Sequence, residues 1–185
     1  VVTNIAPGVI YGAECGRLRL DSQTGVAIPF AKYDFEESLT KDSSGHGRNL
    51  KAEGAVTLVK DPDHGWVAHF DGTASSGGKL TATVTGTTEL TGDSDYTISL
   101  WAKTAATPVA NNYPTLAAIG TAGEPKDHRV VQFRFQDKNC SQLLLGHWNS
   151  KGDFPNLDLP SGVTASSWHH YVAMREGHRL GVWVD

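Results

Sequence analysis

Along most of the chain, apolar and polar side chains alternate with a period of two, and Gly, Asp, Asn and Pro interrupt the alternation. Residues 96–103 are the clearest case, because Ile98, Leu100 and Ala102 would face one way and the residues between them the other. This period is typical of half-buried β-strands. Such segments recur about every 8–15 residues, and no helical pattern extends beyond about two or three turns. The pattern therefore predicts an all-β sandwich.

Turn residues separate three pairs of predicted strands. The predicted pairs are 56–59 and 66–70, 130–136 and 142–148, and 169–175 and 180–184. In the last pair, Val172 and Met174 share a face with Val182 only in one of the possible registers. The sequence does not fix that register, so the faces of this pair stay open.

The composition narrows the class of protein. The 185 residues amount to one domain, and five Trp, five Tyr and six Phe supply core material, which excludes a disordered chain. A net charge of −4 disfavours a general nucleic-acid binder, and no run of about 18 apolar residues is present to span a membrane. Twenty Gly, abundant Thr and a single Met favour an exported protein. We therefore expect an extracellular or secreted location, the cell surface included.

The two cysteines, Cys15 and Cys140, are too far apart in sequence for a zinc knuckle or a redox Cys-x-x-Cys motif. One long-range disulfide and two buried thiols are both compatible with this spacing. The sequence does not choose between these two states.

Four segments of the chain stand in a specific order. They are residues 31–39 with the turn Asp42-Ser43-Ser44-Gly45-His46-Gly47, then Ala68-His69-Phe70-Asp71-Gly72, then 96–103, and finally 168–173 with 182–185. Their order and spacing resemble the laminin-G-like, concanavalin A-like lectin and glucanase family. The resemblance covers residues 31–185 and implies a two-sheet antiparallel jelly-roll sandwich of the concanavalin A-like type.

Both ends of the chain depart from the family pattern. The pattern continues past its final Val-Asp into a closing strand, whereas this sequence stops at Asp185. A trimmed fold, a chain cut from a larger protein, and a missing strand supplied by residues 1–30 are three explanations, and we favour the second. We expect residues 1–30 to form an N-terminal arm or extra strands, and residues 31–185 to form a jelly roll that lacks its closing strand.

The resemblance implies binding rather than catalysis, because many domains of this family resemble carbohydrate-binding modules of larger glycan-active enzymes or adhesins. Aromatic rings on a shallow sheet face would stack on sugar rings, and polar side chains around them would bind the hydroxyls. We expect the partners to be a glycan or oligosaccharide and neighbouring domains of a larger chain, not nucleic acid. The alternative is a structural or protein-interaction sandwich.

The candidate sugar contacts come from the alternation and from two loops that carry aromatic rings among amides. Gln132 and Arg134 point away from Phe133, so they lie either on the binding face or on an ordinary solvated face. The candidate carbohydrate-binding residues are Gln132, Arg134, His147, Trp148, Asn149 and Tyr113.

Other ring-bearing residues are expected to be structural. Trp101 and Trp168 stand at structural strand positions of the family and are expected in the core, as is Trp66. His169 and His170 are adjacent on a predicted strand, so they face opposite sides and cannot share one metal without a bend. We expect one buried, hydrogen-bonded histidine and one surface histidine.

The sequence lacks the Glu-x-Asp-x-x-Glu strand motif that glucanases of this scaffold use. Glu36 and Glu37 are adjacent, so on a strand they would point to opposite faces and fail as a catalytic pair. We therefore assign no catalytic residue, and a polysaccharide lyase or glycoside hydrolase is the least favoured hypothesis.

Jelly rolls of this family often hold a structural calcium ion, which the resemblance implies here as well. Calcium takes carboxylate and carbonyl oxygens from loops, and the expected ligands are Asp34, Glu36 and Asp71. The alternative is that these acids simply end strands and cap turns.

Overall fold

The computed structural model describes residues 8–16, 19–20, 27–72, 77–84, 95–105, 114–120, 130–137, 139–148, 156–158, 164, 166–177 and 179–185. Within these ranges the chain forms strands, turns and bends, and no helix. No helix long and apolar enough to cross a membrane is therefore found in the described part.

Fifteen strands are described, most of them short. Their bounds are β1 Gly8–Gly16, β2 Arg19–Leu20, β3 Ala27–Ile28, β4 Ala31–Tyr33, β5 Lys51–Glu53, β6 Val56–Asp61, β7 Gly65–Phe70, β8 Lys79–Thr81, β9 Tyr96–Thr104, β10 Thr115–Ile119, β11 Val130–Phe135, β12 Gln142–Trp148, β13 Asn156–Asp158, β14 His169–Glu176 and β15 Arg179–Val184.

Two antiparallel sheets make up most of the fold. The larger sheet has the order β15-β14-β9-β1-β7-β6, with β4 also paired to β1, and the smaller sheet has the order β10-β11-β12-β13. Part of the first 30 residues is therefore a strand, since β1 lies between β9 and β7. Two further two-stranded ladders, β2-β3 and β5-β8, complete the described strands.

The core lies between the two sheets. Along β9 the residues alternate between buried and half-buried, and Ile98, Leu100 and Ala102 all belong to one apolar cluster. The smaller sheet contributes Phe133 and Phe135, both fully buried, to the same cluster. The all-β two-sheet sandwich predicted from the alternation is confirmed.

The three predicted strand pairs are confirmed as β6–β7, β11–β12 and β14–β15. In the last pair Val172 lies opposite Trp183 and Met174 opposite Gly181, whereas Val182 lies opposite Ala173. Because directly opposed residues share a face, Val172 and Met174 lie on the side away from Val182. The register in which they share its face is not the one formed.

The expectation that three tryptophans lie in the core is wrong. Trp101 and Trp168 are half-buried and lie outside the core cluster, and Trp66 is 38% exposed. Trp101 follows the alternation of β9, which places it with Ser99 and Lys103 on the face opposite the core. The expectation for Trp101 rested on the strand position in the family, but the strand period decides on which side of the sheet the ring lies.

The Asp-Ser-Ser-Gly-x-Gly turn is held by one buried carboxylate. Asp42 Oδ1 accepts hydrogen bonds from the backbone N–H groups of Lys32 (3.1 Å) and Ser44 (2.9 Å), and Oδ2 accepts one from Arg48 (2.8 Å). Gly45 and Gly47 have φ values of 88° and 70°, which a residue with a Cβ adopts at a cost. The motif is therefore explained by the turn itself and connects the turn to β4.

Candidate functional site

The predicted polar face of β11 exists. Val131, Phe133 and Phe135 are buried in the core, and Gln132 and Arg134 lie between them on the other face, both half-buried. Gln136, which follows the strand, is also half-buried and continues the pairing through its N–H to the carbonyl of Gln142. Three hydrogen-bonding side chains thus follow one another at every second position, and we call this surface the β11 face.

The β11 face is largely covered and is not an open surface. Leu144 lies opposite Arg134 on β12 and is fully buried, and Ala118 lies opposite Gln132 on β10 and is 9% exposed. Neither residue belongs to the core cluster between the sheets. Something on the outer side of the smaller sheet therefore covers the apolar residues beside the polar ones.

Two acceptors on the β11 face have no hydrogen-bond donor within the described part of the chain. They are the side-chain carbonyl oxygens of Gln132 and Gln136, and both are buried from solvent. A buried acceptor without a donor costs about 1–3 kcal/mol. Groups that carry hydroxyl or amide hydrogens would relieve that cost, so the β11 face is suited to a ligand rich in donors.

The other four predicted sugar contacts lie wholly or partly outside the described residues. His147 and Trp148 belong to β12, where their backbones pair with Val131 and Val130, and their side chains are not described. Asn149 and Tyr113 lie outside the described residues. Of the six candidates, only Gln132 and Arg134 are thus placed on one surface with their side chains.

A second cluster, which the sequence did not reveal, lies on the outer face of the larger sheet around Asp61. Asp61 Oδ2 accepts hydrogen bonds from Lys103 Nζ and from Trp168 Nε1, both at 3.3 Å. Its Oδ1 accepts the backbone N–H groups of Asp63 (3.0 Å) and His64 (3.1 Å) and lies 3.3 Å from His64 Nδ1. One carboxylate thus joins the β6–β7 turn, β9 and the residue before β14.

The hydrogen bonds decide the ionisation of Asp61. Burial of the side chain disfavours the charge, but the donors from Asp63, His64, Lys103 and Trp168 outweigh it and lower the pKa of Asp61 from 3.8 to about 2. The carboxylate is therefore charged at neutral pH, and its acceptor positions are used within the chain. The sequence predicts a turn between residues 59 and 66, but it gives no sign that Asp61 bonds to Trp168, which is 107 residues away.

The rings of this cluster pack on each other. The His64 and Trp168 ring centroids are 4.3 Å apart, and His170 stacks on Trp101 at 5.1 Å with 19° between the planes. His170 Nε2 is also 2.8 Å from Ser99 Oγ. Because these rings contact each other, the cluster acts mainly as a small outer core that fixes the turn to the sheet.

The adjacent histidines face opposite sides, as predicted. His169 Nε2 accepts the backbone N–H of Thr164 at 3.2 Å, so its Nδ1 carries the hydrogen that faces Asp185 Oδ1 at 3.2 Å. His170 instead contacts Ser99 and Trp101. Both histidines are half-buried, so the expected division into one buried and one surface residue is not found.

The three carboxylates expected to bind calcium do not form a ligand set. Asp34 is half-buried, whereas Glu36 and Asp71 are exposed, and Glu36 Oε1 lies beside Gly65 of the β6–β7 turn. Within the described ranges, no group of three or more His, Cys, Asp and Glu side chains is placed to hold a metal ion. These residues do not fit a carboxylate-built calcium site, and calcium binding as such stays a prediction.

The family comparison agrees with this architecture. A laminin-G-type family model, described as "Concanavalin A-like lectin/glucanases superfamily", matches residues 75–185, which is more than half of the chain. The chain belongs to this concanavalin A-like superfamily. The match contains the third and fourth segments on which the resemblance rested, whereas the first two segments lie before it. Comparison with curated proteins and with solved structures gives no significant match.

Membership in the concanavalin A-like superfamily does not by itself choose between binding and cleavage, since its name covers lectins and glucanases. In the described part of the chain, four carboxyl groups have shifted pKa values, and all four pKa values are lowered. They are Asp42, Glu53, Asp61 and Asp137. A glycosidase needs a general acid whose pKa is raised. These four carboxylates are therefore held in the charged form, which suits turn and strand stabilisation.

Cys140 is a free thiol buried in the core of this concanavalin A-like sandwich. It follows the β11–β12 turn and has a φ of 54°. The pKa of the Cys140 thiol is raised to about 11 by three effects together. Burial raises it most, the hydrogen bond with Thr104 lowers it, and the charge of Asp137 raises it. Of the two states that the sequence left open, a buried thiol is therefore the one found at Cys140.

Proposed function

We propose that this domain binds carbohydrate, and that the β11 face is its binding site. The observation that carries the proposal is the pair of buried carbonyl oxygens on Gln132 and Gln136 that lack donors within the described part of the chain. Sugar hydroxyls are donors of the required kind. Arg134 lies between the two glutamines and adds a cation to the same face.

The superfamily supports a glycan as the ligand, because it contains lectins and glucanases. An extracellular location, and attachment to a larger glycan-active enzyme or adhesin, belong to the same proposal. They rest on composition and on the superfamily alone.

A substitution of Gln132 tests the site. Gln132→Met keeps the length of the side chain and removes the buried oxygen, so the free protein should be as stable as the wild type or slightly more stable. Sugar binding should weaken about tenfold or more, as expected for the loss of a buried hydrogen bond to the ligand. Calorimetric titration with a panel of oligosaccharides, together with thermal melts, measures both effects.

Thr57→Ala is the matched control, since Thr57 is an exposed polar residue on β6 of the larger sheet. It should leave both affinity and stability unchanged. The proposal fails if no oligosaccharide binds the wild type, or if Gln132→Met and Thr57→Ala bind equally well. A fall in stability of Gln132→Met without ligand would show that the oxygen already has a partner.

A structural or protein-interaction role is the second candidate function. The observation that favours it is the full burial of Leu144 on the β11 face, because a covered sheet face is what a bracing domain would have. This role predicts that no oligosaccharide binds. It also predicts that Leu144→Ala destabilises the domain by about 2–5 kcal/mol, as in an ordinary core.

A further inference from the structure

The most exposed large apolar side chain in the described part of the chain is Trp183, at 51%. It belongs to β15, which lies at the edge of the larger sheet and pairs with β14. Val182 and Val184 pack against the core, so Trp183 points to the outer face. The indole is therefore accessible to a ligand on that face.

The six-membered ring of Trp183 lies against Gly181 of its own strand. A Cβ added to Gly181 would come within 2.4 Å of Cη2, 2.8 Å of Cζ3 and 3.1 Å of Cζ2 of the indole. A larger residue at position 181 would therefore move the ring. About half of Trp183, 51%, is exposed to solvent.

Charged groups of both signs lie at the end of this ring. Arg179 shares the outer face of β15 with Gly181 and Trp183, and it lies opposite Glu176 of β14. Both side chains are exposed, and within the described part of the chain neither forms a hydrogen bond or an ion pair. The β14–β15 turn beside them is fixed, because Asp95 Oδ1 accepts the N–H of Gly177 at 2.7 Å.

We propose that Trp183, Gly181, Arg179 and Glu176 form a second carbohydrate site, on the sheet opposite the β11 face. The apolar face of a pyranose ring would stack on the exposed part of the indole. Glu176 would accept hydrogen bonds from hydroxyl groups and Arg179 would donate them. Because the two flanking charges cancel, the site is suited to a neutral sugar and not to an anionic one.

A flat ring with charges at its rim also distinguishes this site from an apolar protein interface. The neighbouring apolar residues on the same face, Val172 and Met174 of β14, are half-buried. They therefore add little exposed apolar surface to that of Trp183. A protein partner would need a much larger apolar area to bind stably. One sugar ring, in contrast, matches the size of a single indole.

Three variants of the full chain test the proposal by titration with neutral gluco-, xylo-, manno- and galacto-oligosaccharides, with sialyllactose as an anionic comparison. Trp183→Ala should weaken binding of a neutral oligosaccharide about tenfold. Gly181→Ala should weaken it to a similar degree, because the new Cβ displaces the ring from its position. Trp183→Phe keeps an aromatic face and should retain most of the affinity.

Binding that is unchanged in both Trp183→Ala and Gly181→Ala overturns the inference, as does the absence of any neutral-sugar binding by the wild type. Sialyllactose binding that depends on Trp183 would overturn the neutral-sugar assignment. Thermal melts establish whether each variant is folded. If Trp183→Ala does not fold, Trp183→Phe still tests the site.

The two proposed sites are separated by the same titrations. Loss of binding in Gln132→Met alone supports the β11 face and rejects the Trp183 site. Loss in Trp183→Ala alone does the reverse. Two binding events, each removed by one variant, support both sites.

Discussion

At the scale of single residues, Asp61 shows how one side chain can organise distant parts of the chain. Its carboxylate reaches Trp168, which is 107 residues away in sequence, and Lys103 on a different strand. Charge-assisted hydrogen bonds of this kind are stronger than neutral ones. Because the acid is nearly buried, its loss leaves several donors without an acceptor.

Asp61→Asn should therefore destabilise the domain by about 1–3 kcal/mol at neutral pH. The asparagine keeps one acceptor oxygen for the turn but removes the charge that Lys103 and Trp168 face. Urea unfolding measures the effect. Asp63→Asn is the matched control, since Asp63 lies two residues away, is exposed and contributes only its backbone N–H to the cluster.

The pH dependence of this difference has a defined sign. The folded pKa of Asp61 is lowered to about 2, so the stabilisation is complete above the unfolded value and is lost as the pH falls towards the folded value. The gap between wild type and Asp61→Asn should shrink between about pH 4 and pH 2. A gap that stays constant with pH would show that the charge of Asp61 is not what stabilises the fold.

At the scale of elements, the strand period was the most informative feature of the sequence. It predicted β9, β11 with β12, and β14 with β15, because alternation depends only on which side chains the core can accept. It did not predict that Val172 faces Trp183, since register depends on the turn and on the neighbouring strand. The contact of the Trp183 ring with Gly181 could not be predicted from the sequence either.

The turn after β4 carries a prediction at this scale. Asp42→Ala should cost about 2–3 kcal/mol, because the backbone N–H groups of Lys32, Ser44 and Arg48 lose their acceptor at a largely buried position. His46→Ala in the same turn is the control, since its side chain is exposed and only its N–H is bonded, to Ser44 Oγ. Chemical denaturation compares the two, and equal stabilities would contradict the role given to Asp42.

At the scale of the whole molecule, two sheets share one core, and the edge-to-face contact of Phe135 with Tyr171 joins them. The sandwich was predictable from strand spacing, whereas the central place of β1 was not, because its segment gave no clear alternation. The candidate site was predictable only in part. The alternation placed Gln132 and Arg134 on one face, but the burial of Leu144 on that face depends on tertiary packing.

The closure of this core can be followed through Cys140. The thiol is 3% exposed and its pKa is raised to about 11, so at mildly alkaline pH only a small fraction of the buried thiol is thiolate. Iodoacetamide should therefore leave Cys140 unmodified in the native protein and alkylate it after unfolding in urea, as peptide mass mapping would show. In the native protein the labelling rate should follow opening of the whole core, since Cys140 packs within the cluster shared by both sheets.

A variant that weakens the core away from the cysteine sharpens this test. Leu145→Ala removes a core side chain from β12 that is 2% exposed, and it should speed labelling of Cys140 in proportion to its loss of stability. Thr57→Ala on the surface should not change the rate. Rapid labelling of the native protein would contradict a buried thiol. Failure to label in urea until a reductant is added would show that Cys140 is oxidised in solution, and with it that the two sheets are linked covalently and not by packing alone.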